Sequence, residues 1–378
     1  MPDVLVFADS IRSPEMRHEV PVPVPDPFVY AEHDGRRYVL VSSFEVPRLE
    51  ERAPELEILL PESVGIDELL DKGYKWWQLE CELTLRACRE IGLREAVVPP
   101  TFPGLLLDYL RENGVSLTPD DDEFAQRRRV KTAAELEGIR RAQRACERAM
   151  DAARDLMRRA ERQNGSLLLE GQPLTCERLR AAVEDVFTTS NVVADESIVS
   201  HGEQTAIGHE MGHGEIKPGE PIVLDLFPRD RETGCYADMT RTFVVGEPSD
   251  ELREYHRLVK EALERSTAQV KAGAHGRKLF EEVCELFQEH GYKTQLSKDP
   301  GEVLSDGFFH SLGHGVGLEV HEQPGLGRSG VELVAGDVIT LEPGLYRRGY
   351  GGLRLEDLVL VTDDGPEVLT DYPYDLEP

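Results

Sequence analysis

His310-Ser-Leu-Gly-His314-Gly-Val-Gly-Leu-Glu-Val-His321-Glu322 is the stretch of this 378-residue sequence that says most about its fold. Its three histidines and three glycines suit neither a core strand nor a helix, and glycine lets a backbone approach a neighbouring group closely. The stretch lies in a β-rich region from about 303 to the C-terminus, and an earlier β-rich region covers about 191–247. The pattern therefore predicts a functional site built on strands.

Three further segments, the first of which consists of two stretches, place acids within apolar, strand-like sequence. In Ile222-Val-Leu-Asp225-Leu-Phe227 the carboxylate is costly to bury unless it is paired or binds a cation. Thirteen positions after this Asp comes Tyr236-Ala-Asp238-Met-Thr240-Arg-Thr242, and a hairpin would bring the two Asp together. The remaining segments are Val338-Ile-Thr-Leu-Glu342-Pro343-Gly344 and Gly352-Leu-Arg354-Leu-Glu356-Asp357, in which Arg354 and Glu356 share a strand face.

The acids of these segments and one imidazole form an oxygen-rich set, namely Asp225, Asp238, His314, Glu342 and Glu356. Four carboxylates cannot lie close together without cations, because like charges raise each other's pKa. Two divalent ions would balance four negative charges, and paired metals about 3.5–4 Å apart serve hydrolytic reactions. We expect Mn²⁺, with Co²⁺, Fe²⁺ or Zn²⁺ as alternatives, rather than a Cys-rich structural zinc site.

The remaining sequence predicts two domains, 1–125 and 126–378. The first mixes short strands and helices in a small α/β module, and the acidic run 120–123 predicts a linker after it. The basic run 127–129 is interpreted as a boundary feature or a solvated face. In the second domain the order helix, helix, strands occurs twice, which suggests an internal duplication. The predicted helices are about 133–162, 175–187, 250–271 and 277–290.

At the four segments the sequence resembles the pita-bread metallopeptidases, which include methionine aminopeptidases, Xaa-Pro aminopeptidases and prolidases. The resemblance extends from about Lys131 to Thr370 and rests on Asp-x-Thr-Arg-Thr at 238–242, the His-Gly stretch at 310–322, Glu-Pro-Gly-x-Tyr at 342–346 and Gly-x-Arg-x-Glu-Asp at 352–357. It implies an α+β chain: an internally duplicated C-terminal pita-bread catalytic domain and a smaller N-terminal α/β domain of the creatinase-N type. The family's five metal ligands fall on the set selected above.

The resemblance also implies roles for individual residues. A water or hydroxide that bridges two metals attacks the first peptide bond, and Glu342 accepts its proton as general base. His209 contacts the substrate near the leaving nitrogen, a role for which we favour it over the neighbouring histidines 201 and 213. His321 steadies the tetrahedral intermediate. His310 and Arg354 are expected to bind the substrate, although Arg354 could instead form a salt bridge with a metal-site carboxylate.

Two positions depart from the family pattern. The two Asp are commonly about eleven positions apart, so the connection between them here carries about two extra residues near 229–232. After Pro324 many prolidases have an arginine, whereas this chain has Gly325. How a dipeptide's carboxylate is held is therefore open, and a group from the N-terminal domain of a partner subunit is one alternative.

These features predict metal-dependent hydrolysis of the N-terminal peptide bond in peptides with proline at the second position, by a dipeptidase or an aminopeptidase. The alternatives are an inactive pita-bread peptide-binding protein, a methionine-aminopeptidase-like hydrolase and a creatinase-like hydrolase. All five ligand positions are intact, which argues against a pseudoenzyme and against the metal-free creatinase type.

Composition narrows the range of partners and compartments. The chain has 72 acidic and 43 basic residues, and its net charge of −29 argues against nucleic acid and anionic membranes as partners. Apolar runs are too short to span a bilayer, and we identify no signal peptide. The six cysteines have no paired pattern, which predicts a reduced, cytoplasmic protein. The resemblance to prolidases implies a homodimer.

Overall fold

The structure, a computed structural model, describes residues 2–378. The chain divides into two compact units, Met1–Arg128 and Arg129–Pro378. None of the helices among the described residues is both long and apolar enough to cross a membrane.

The first unit is built on one mixed sheet. Its strands are β1 (Val4–Ala8), β2 (Phe28–His33), β3 (Arg36–Leu40), β4 (Glu57–Leu59), β5 (Glu95–Val98) and β6 (Ser116–Pro119). They lie in the order β4-β3-β2-β1-β5-β6, with β1 antiparallel to β2 and parallel to β5. The helices are α1 (Pro14–Glu19), α2 (Val46–Arg52), α3 (Ile66–Asp71), α4 (Trp76–Ile91), α5 (Gly104–Glu112) and α6 (Asp121–Arg129).

Strand β1 is apolar on both faces because the sheet is covered on both sides. Leu5 packs into a core with α3, α4 and α5, whereas Val4 and Val6 pack into a second core with α1 and α2. This alternation follows from the two-residue period of a strand.

The segment predicted as a linker is instead the helix α6. Asp120 accepts the backbone N–H of Glu123 at 3.1 Å, and acids in the first turn suit the positive end of a helix. The arginines that follow are not a solvated face, because Arg127 binds Glu19 and Arg129 binds a buried aspartate. The division between the two units falls within this basic run, and its side chains are largely buried and paired.

The second unit repeats one plan in its two halves. The first half contains α7 (Ala133–Arg159), α8 (Cys176–Thr189) and the strands β7 (Glu161–Gln163), β8 (Ser166–Leu169), β9 (Gln172–Pro173), β10 (Val192–Val193), β11 (Ile198–His201), β12 (Pro221–Leu226), β13 (Arg229–Asp230) and β14 (Met239–Val244). A short 3₁₀ helix, Gly202–Ala206, follows β11.

The second half contains α9 (Asp250–Thr267), α10 (Gly276–Glu289) and the strands β15 (Asp306–Gly307), β16 (Gly313–Gly315), β17 (Glu322–Leu326), β18 (Val338–Leu341), β19 (Gly344–Arg347), β20 (Gly351–Arg354), β21 (Asp357–Val361) and β22 (Pro366–Val368).

Each half pairs two helices with an antiparallel sheet. The main sheets are β11-β12-β14 and β17-β16-β18-β21-β22, and smaller sheets are β7-β8-β9, β10-β13 and β15-β19-β20. One large core packs α7 and α8 against the first main sheet, and another packs α9 and α10 against strands of the second half. The predicted α+β architecture, with two successive passes of helix, helix and strands, is observed.

Candidate metal centre

The first two acids lie on adjacent strands of the first half. Strands β12 and β14 are antiparallel, with Asp225 directly opposite Thr240. Opposite residues point to the same face, and Asp238, two positions before Thr240, lies on that face as well. The predicted hairpin thus brings the two acids together. The connection between them contains β13, which pairs with β10.

The other three residues lie on the second main sheet. His314 is on β16, which pairs with β18, and Glu342 directly follows β18. Glu356 directly precedes β21, and the ends of these two strands meet because Leu341 lies opposite Asp357. Four separated sequence segments therefore deliver their polar side chains to one place.

The glycines beside His314 serve the packing of these strands. A Cβ at Gly313 would lie 2.0 Å from the backbone oxygen of Thr340, and one at Gly315 would lie 2.3 Å from that of Gln323. Any side chain at these positions would push the neighbouring backbone away. The close approach that the glycines permit is therefore made by adjacent strands of the protein.

The candidate ligand atoms are mutually close. Asp238, His314 and Glu356 each offer an atom within 4.8 Å of the other two. His314 Nε2 is 3.8 Å from Asp238 Oδ2 and 3.6 Å from Glu342 Oε1. The charge of Asp225 acts on all three of the other carboxyls. All five predicted ligands thus belong to one cluster.

The carboxyls of this cluster repel one another strongly. Burial and the neighbouring carboxylates raise the pKa of Asp238 and of Glu356 well above the ordinary values. Burial likewise raises the pKa of Glu342 to about 7, although the charge of Arg354 opposes this. Asp238 Oδ1 is buried and has no hydrogen-bond partner among the described residues. An unpartnered, buried carboxylate oxygen in a crowded acidic cluster fits a ligand for a divalent cation.

His314 is held in the form that binds metals. Its Nδ1–H donates to the carbonyl of Gly315 at 3.2 Å, which leaves the lone pair on Nε2 facing the carboxylates. Burial and the charge of His321 lower the pKa of His314 to about 3, so the ring is neutral.

The guanidinium of Arg354 is bound by protein groups beside the acidic cluster. Its buried guanidinium forms an ion pair with Asp225, and its Nε–H donates to Thr240 Oγ1 at 3.2 Å. Its third nitrogen, Nη1, donates to the hydroxyl of Tyr346 at 3.3 Å. These contacts correspond to the structural alternative for this residue, a salt bridge with a metal-site carboxylate.

The predicted catalytic and substrate-binding histidines surround the acids. His310 Nε2 accepts a hydrogen bond from Tyr346 at 2.9 Å, and its Nδ1 lies 3.8 Å from Glu342 Oε2. The rings of His321 and His314 are 4.2 Å apart in an edge-on arrangement. His209 is exposed; burial and, to a smaller extent, the charge of His209 lower the pKa of both His310 and His321.

The two other histidines near His209 have different surroundings. His201 Nδ1 lies 2.8 Å from a carboxylate oxygen of Glu220, and His213 is exposed. His209 acts electrostatically on His321. Which of the three histidines contacts the substrate stays a prediction.

Comparison with known proteins identifies the family. Residues 137–363 match metallopeptidase family M24. The chain belongs to this family. The Xaa-Pro dipeptidase of Pyrococcus furiosus is 32% identical over 254 residues, 66% of this chain and 65% of the relative. An uncharacterised peptidase of Bacillus subtilis is 34% identical over 183 residues, 48% of each chain. The M24 chain thus spans between about half and two thirds of the length of these curated relatives.

Solved structures show the same fold along the whole M24 chain. A Bacillus anthracis Xaa-Pro dipeptidase has a TM-score of 0.78 at 24% identity, covering 100% of this chain and 94% of the other. A prolidase from Pyrococcus furiosus has a TM-score of 0.74 at 24% identity, covering 99% and 97%. The pita-bread fold and the family, both predicted from the four motifs, are confirmed.

Three residues of the M24 site received no individual role from the sequence. Thr240 Oγ1 donates to Glu356 at 2.7 Å, and Tyr346 links Arg354 to His310. Arg241 is fully buried and holds the backbone oxygen of Glu356 at 2.7 Å. Thr240 and Arg241 lie beside Asp238 in its motif, and Tyr346 ends the motif of Glu342, so proximity to a ligand was the available indication.

Proposed function

We propose that this M24 chain hydrolyses the N-terminal peptide bond of Xaa-Pro peptides with the help of two divalent metal ions. The observation that carries the proposal is the convergence of four carboxylates and a neutral imidazole in one buried cluster where Asp238 Oδ1 lacks a partner. The proposed ligands are Asp225, Asp238, His314, Glu342 and Glu356.

When bound, the ions would supply an activated water and positive charge near the scissile carbonyl. Glu342 is our candidate for the general base, since it lies between His314 and His310 at the edge of the cluster. His321, beside His314, would donate to the developing oxyanion. The exposed His209 would hold the substrate near the leaving nitrogen, and His310 would contact the proline side.

The surroundings of Arg354 bear on substrate length. A free dipeptide carries a carboxylate close to the cleaved bond, which favours a guanidinium partner. All three nitrogens of Arg354 already contact protein groups, and position 325 is glycine. These contacts favour substrates in which the proline is followed by another peptide bond. A cation from a partner subunit would restore dipeptide binding.

Metal-loaded protein should be assayed with two substrate series. Xaa-Pro dipeptides and matching Xaa-Pro-Yaa-Zaa tetrapeptides are incubated with protein and Mn²⁺, and released Xaa is measured by chromatography. We expect turnover, faster with the tetrapeptides. Protein that contains two metals per chain and cleaves neither series would disprove the enzyme proposal and leave an inactive peptide-binding protein. Release of methionine from peptides without proline would point to the methionine-aminopeptidase alternative.

The proposal also includes the identity of the metal, the oligomeric state and the cellular location. Mn²⁺ is our first choice because the ligands are mostly oxygen atoms, with Co²⁺, Fe²⁺ and Zn²⁺ next. The resemblance to prolidases supports a homodimer, which analytical ultracentrifugation of the full chain would test. All six cysteines are buried and free, which supports a reducing, cytoplasmic location.

A further inference from the structure

The first unit has a cavity of its own, next to α4. Its volume is about 400 Å³, within the range of small-molecule sites. The floor is apolar and includes Phe28, Leu40 and Leu83, which come from two strands of the sheet and from the helix. A floor of this kind suits a ligand with an aromatic or aliphatic body.

Two large aromatic side chains at the cavity are exposed. Trp76 is 74% exposed and Phe44 is 88% exposed, although both line the cavity. Trp76 begins α4, so its ring is fixed to a rigid element at the entrance. The face of an aromatic ring attracts cations, most strongly for tryptophan.

The charged residues that line the cavity are all acidic. They are Asp26, Glu45, Glu62 and Glu80. Glu45 is paired with Arg48 at 2.9 Å, and among residues 2–378 the other three carboxylates have no ion-pair partner. Glu80 is half-buried next to Trp76, and burial raises its pKa. A cation in the cavity would supply the missing counter-charge.

We propose that this cavity binds an organic ammonium cation that carries an aromatic or aliphatic body. The body packs on the apolar floor, and the ammonium group lies between the carboxylates and the face of Trp76. Ligands with a carboxylate or phosphate are repelled by the same residues. The inference does not depend on the proposed peptidase activity.

The chain offers an internal probe of this site. Its two tryptophans are Trp76 and Trp77, both in the first turn of α4. Tryptophan fluorescence of the full-length protein therefore reports on the cavity without a label. We would titrate 2-phenylethylammonium and, as a neutral analogue of similar size, 2-phenylethanol, and measure both affinities by calorimetry as well. The cation should bind about five- to tenfold more tightly than the alcohol.

Substitutions separate specific binding from attraction to a chain of net charge −29. Glu80→Gln and, for an exposed carboxylate whose loss should not affect folding, Glu62→Gln should each weaken binding of the cation and leave the alcohol unchanged. Glu90→Gln is the matched control, because Glu90 is exposed on the same helix and does not line the cavity. The proposal is overturned if calorimetry detects no binding, if both probes bind equally, or if Glu90→Gln has the same effect as both cavity variants.

Discussion

Among the proposed ligands, Asp238 has the surroundings that most directly support metal binding. It is 4% exposed, one of its oxygens has no partner, and the nearby carboxylates raise its pKa well above the ordinary value. A carboxylate in such a position destabilises the fold unless a cation binds it. Its neighbours Thr240 and Arg241 instead hold Glu356, so we expect Asp238 to be the acid that most needs a bound cation.

We predict that Asp238→Ala abolishes metal binding and hydrolysis together. Removing a residue that only hydrogen-bonds to a metal ligand lowers metal affinity about 10–100-fold. The loss in Asp238→Ala should be larger, because a ligand itself is removed. Elemental analysis of the purified variant and the tetrapeptide assay measure the two effects. Asp363→Ala, at an exposed position, should change neither. An inactive Asp238→Ala protein that retains two metals would contradict the ligand assignment.

At the scale of single elements, helix α6 shows how charged residues build structure at a boundary. Arg127 near its C-terminus binds Glu19 at the end of α1, and Glu19 also accepts a hydrogen bond from Tyr30 at 2.9 Å. Burial raises the pKa of Glu19, but the hydrogen bond and charge of Arg127 outweigh it and hold that pKa below the ordinary value. The pair therefore fastens α6 to α1.

Glu19→Gln should destabilise the protein by about 2 kcal/mol at neutral pH, because it removes a buried carboxylate that Arg127 and Arg37 both bind, although Arg127 keeps its pairing with Glu32. A lowered folded-state pKa gives stability that is present above the unfolded value of 4.5 and lost as pH falls through the folded value. The difference in the free energy of unfolding between Glu19→Gln and the wild type should therefore become smaller below about pH 4.5. Urea unfolding across pH measures it.

The matched control is Glu55→Gln, which removes an exposed ion pair with Arg37, another partner of Glu19. Exposed pairs contribute little, so its stability should remain close to that of the wild type at every pH. Equal losses of stability in the two variants would show that the buried pair of Glu19 and Arg127 stabilises the protein no more than an exposed ion pair does.

On the scale of the whole molecule, the proposed metal site joins the two halves of the second unit. Two of the proposed ligands come from the first half and three from the second. Without bound cations the four carboxylates oppose this convergence. Metal binding should therefore stabilise the folded state as well as supply chemistry.

We predict that Mn²⁺ raises the melting temperature of chelator-treated protein. At free Mn²⁺ about 100-fold above Kd the stabilisation is about 2.7 kcal/mol, and each kcal/mol corresponds to about 2–4 °C for a unit of this size. Differential scanning calorimetry with and without Mn²⁺ tests this. The Asp238→Ala chain should show no increase, and an equal increase in that variant would place the stabilising ion elsewhere.

Local sequence determined much of this protein, because caps, glycines and hydrophobic periods act over a few residues. The helix predicted over about 133–162 is observed as α7, and hydrogen bonds between Thr132 and Glu135 cap its start. The acids of these motifs likewise indicated the proposed ligand set, since a carboxylate within an apolar strand is costly to bury unless it is paired or binds a cation. The acidic run at the start of α6 was misread as a linker, because its helix is completed by arginines whose partners are distant in sequence.

Only the tertiary structure decided which polar groups meet. The pairing of β12 with β14 and of β18 with β21 fixes which acids are adjacent, and no local pattern specifies that register between distant segments. Arg354 could have faced a substrate or Asp225, and the packing of β20 beside β12 and β14 directs it to Asp225. The cavity beside Trp76 arises in the same way, from strands and a helix far apart in sequence. Sequence thus supplied the chemical groups, and long-range packing determined the contacts that give them their roles.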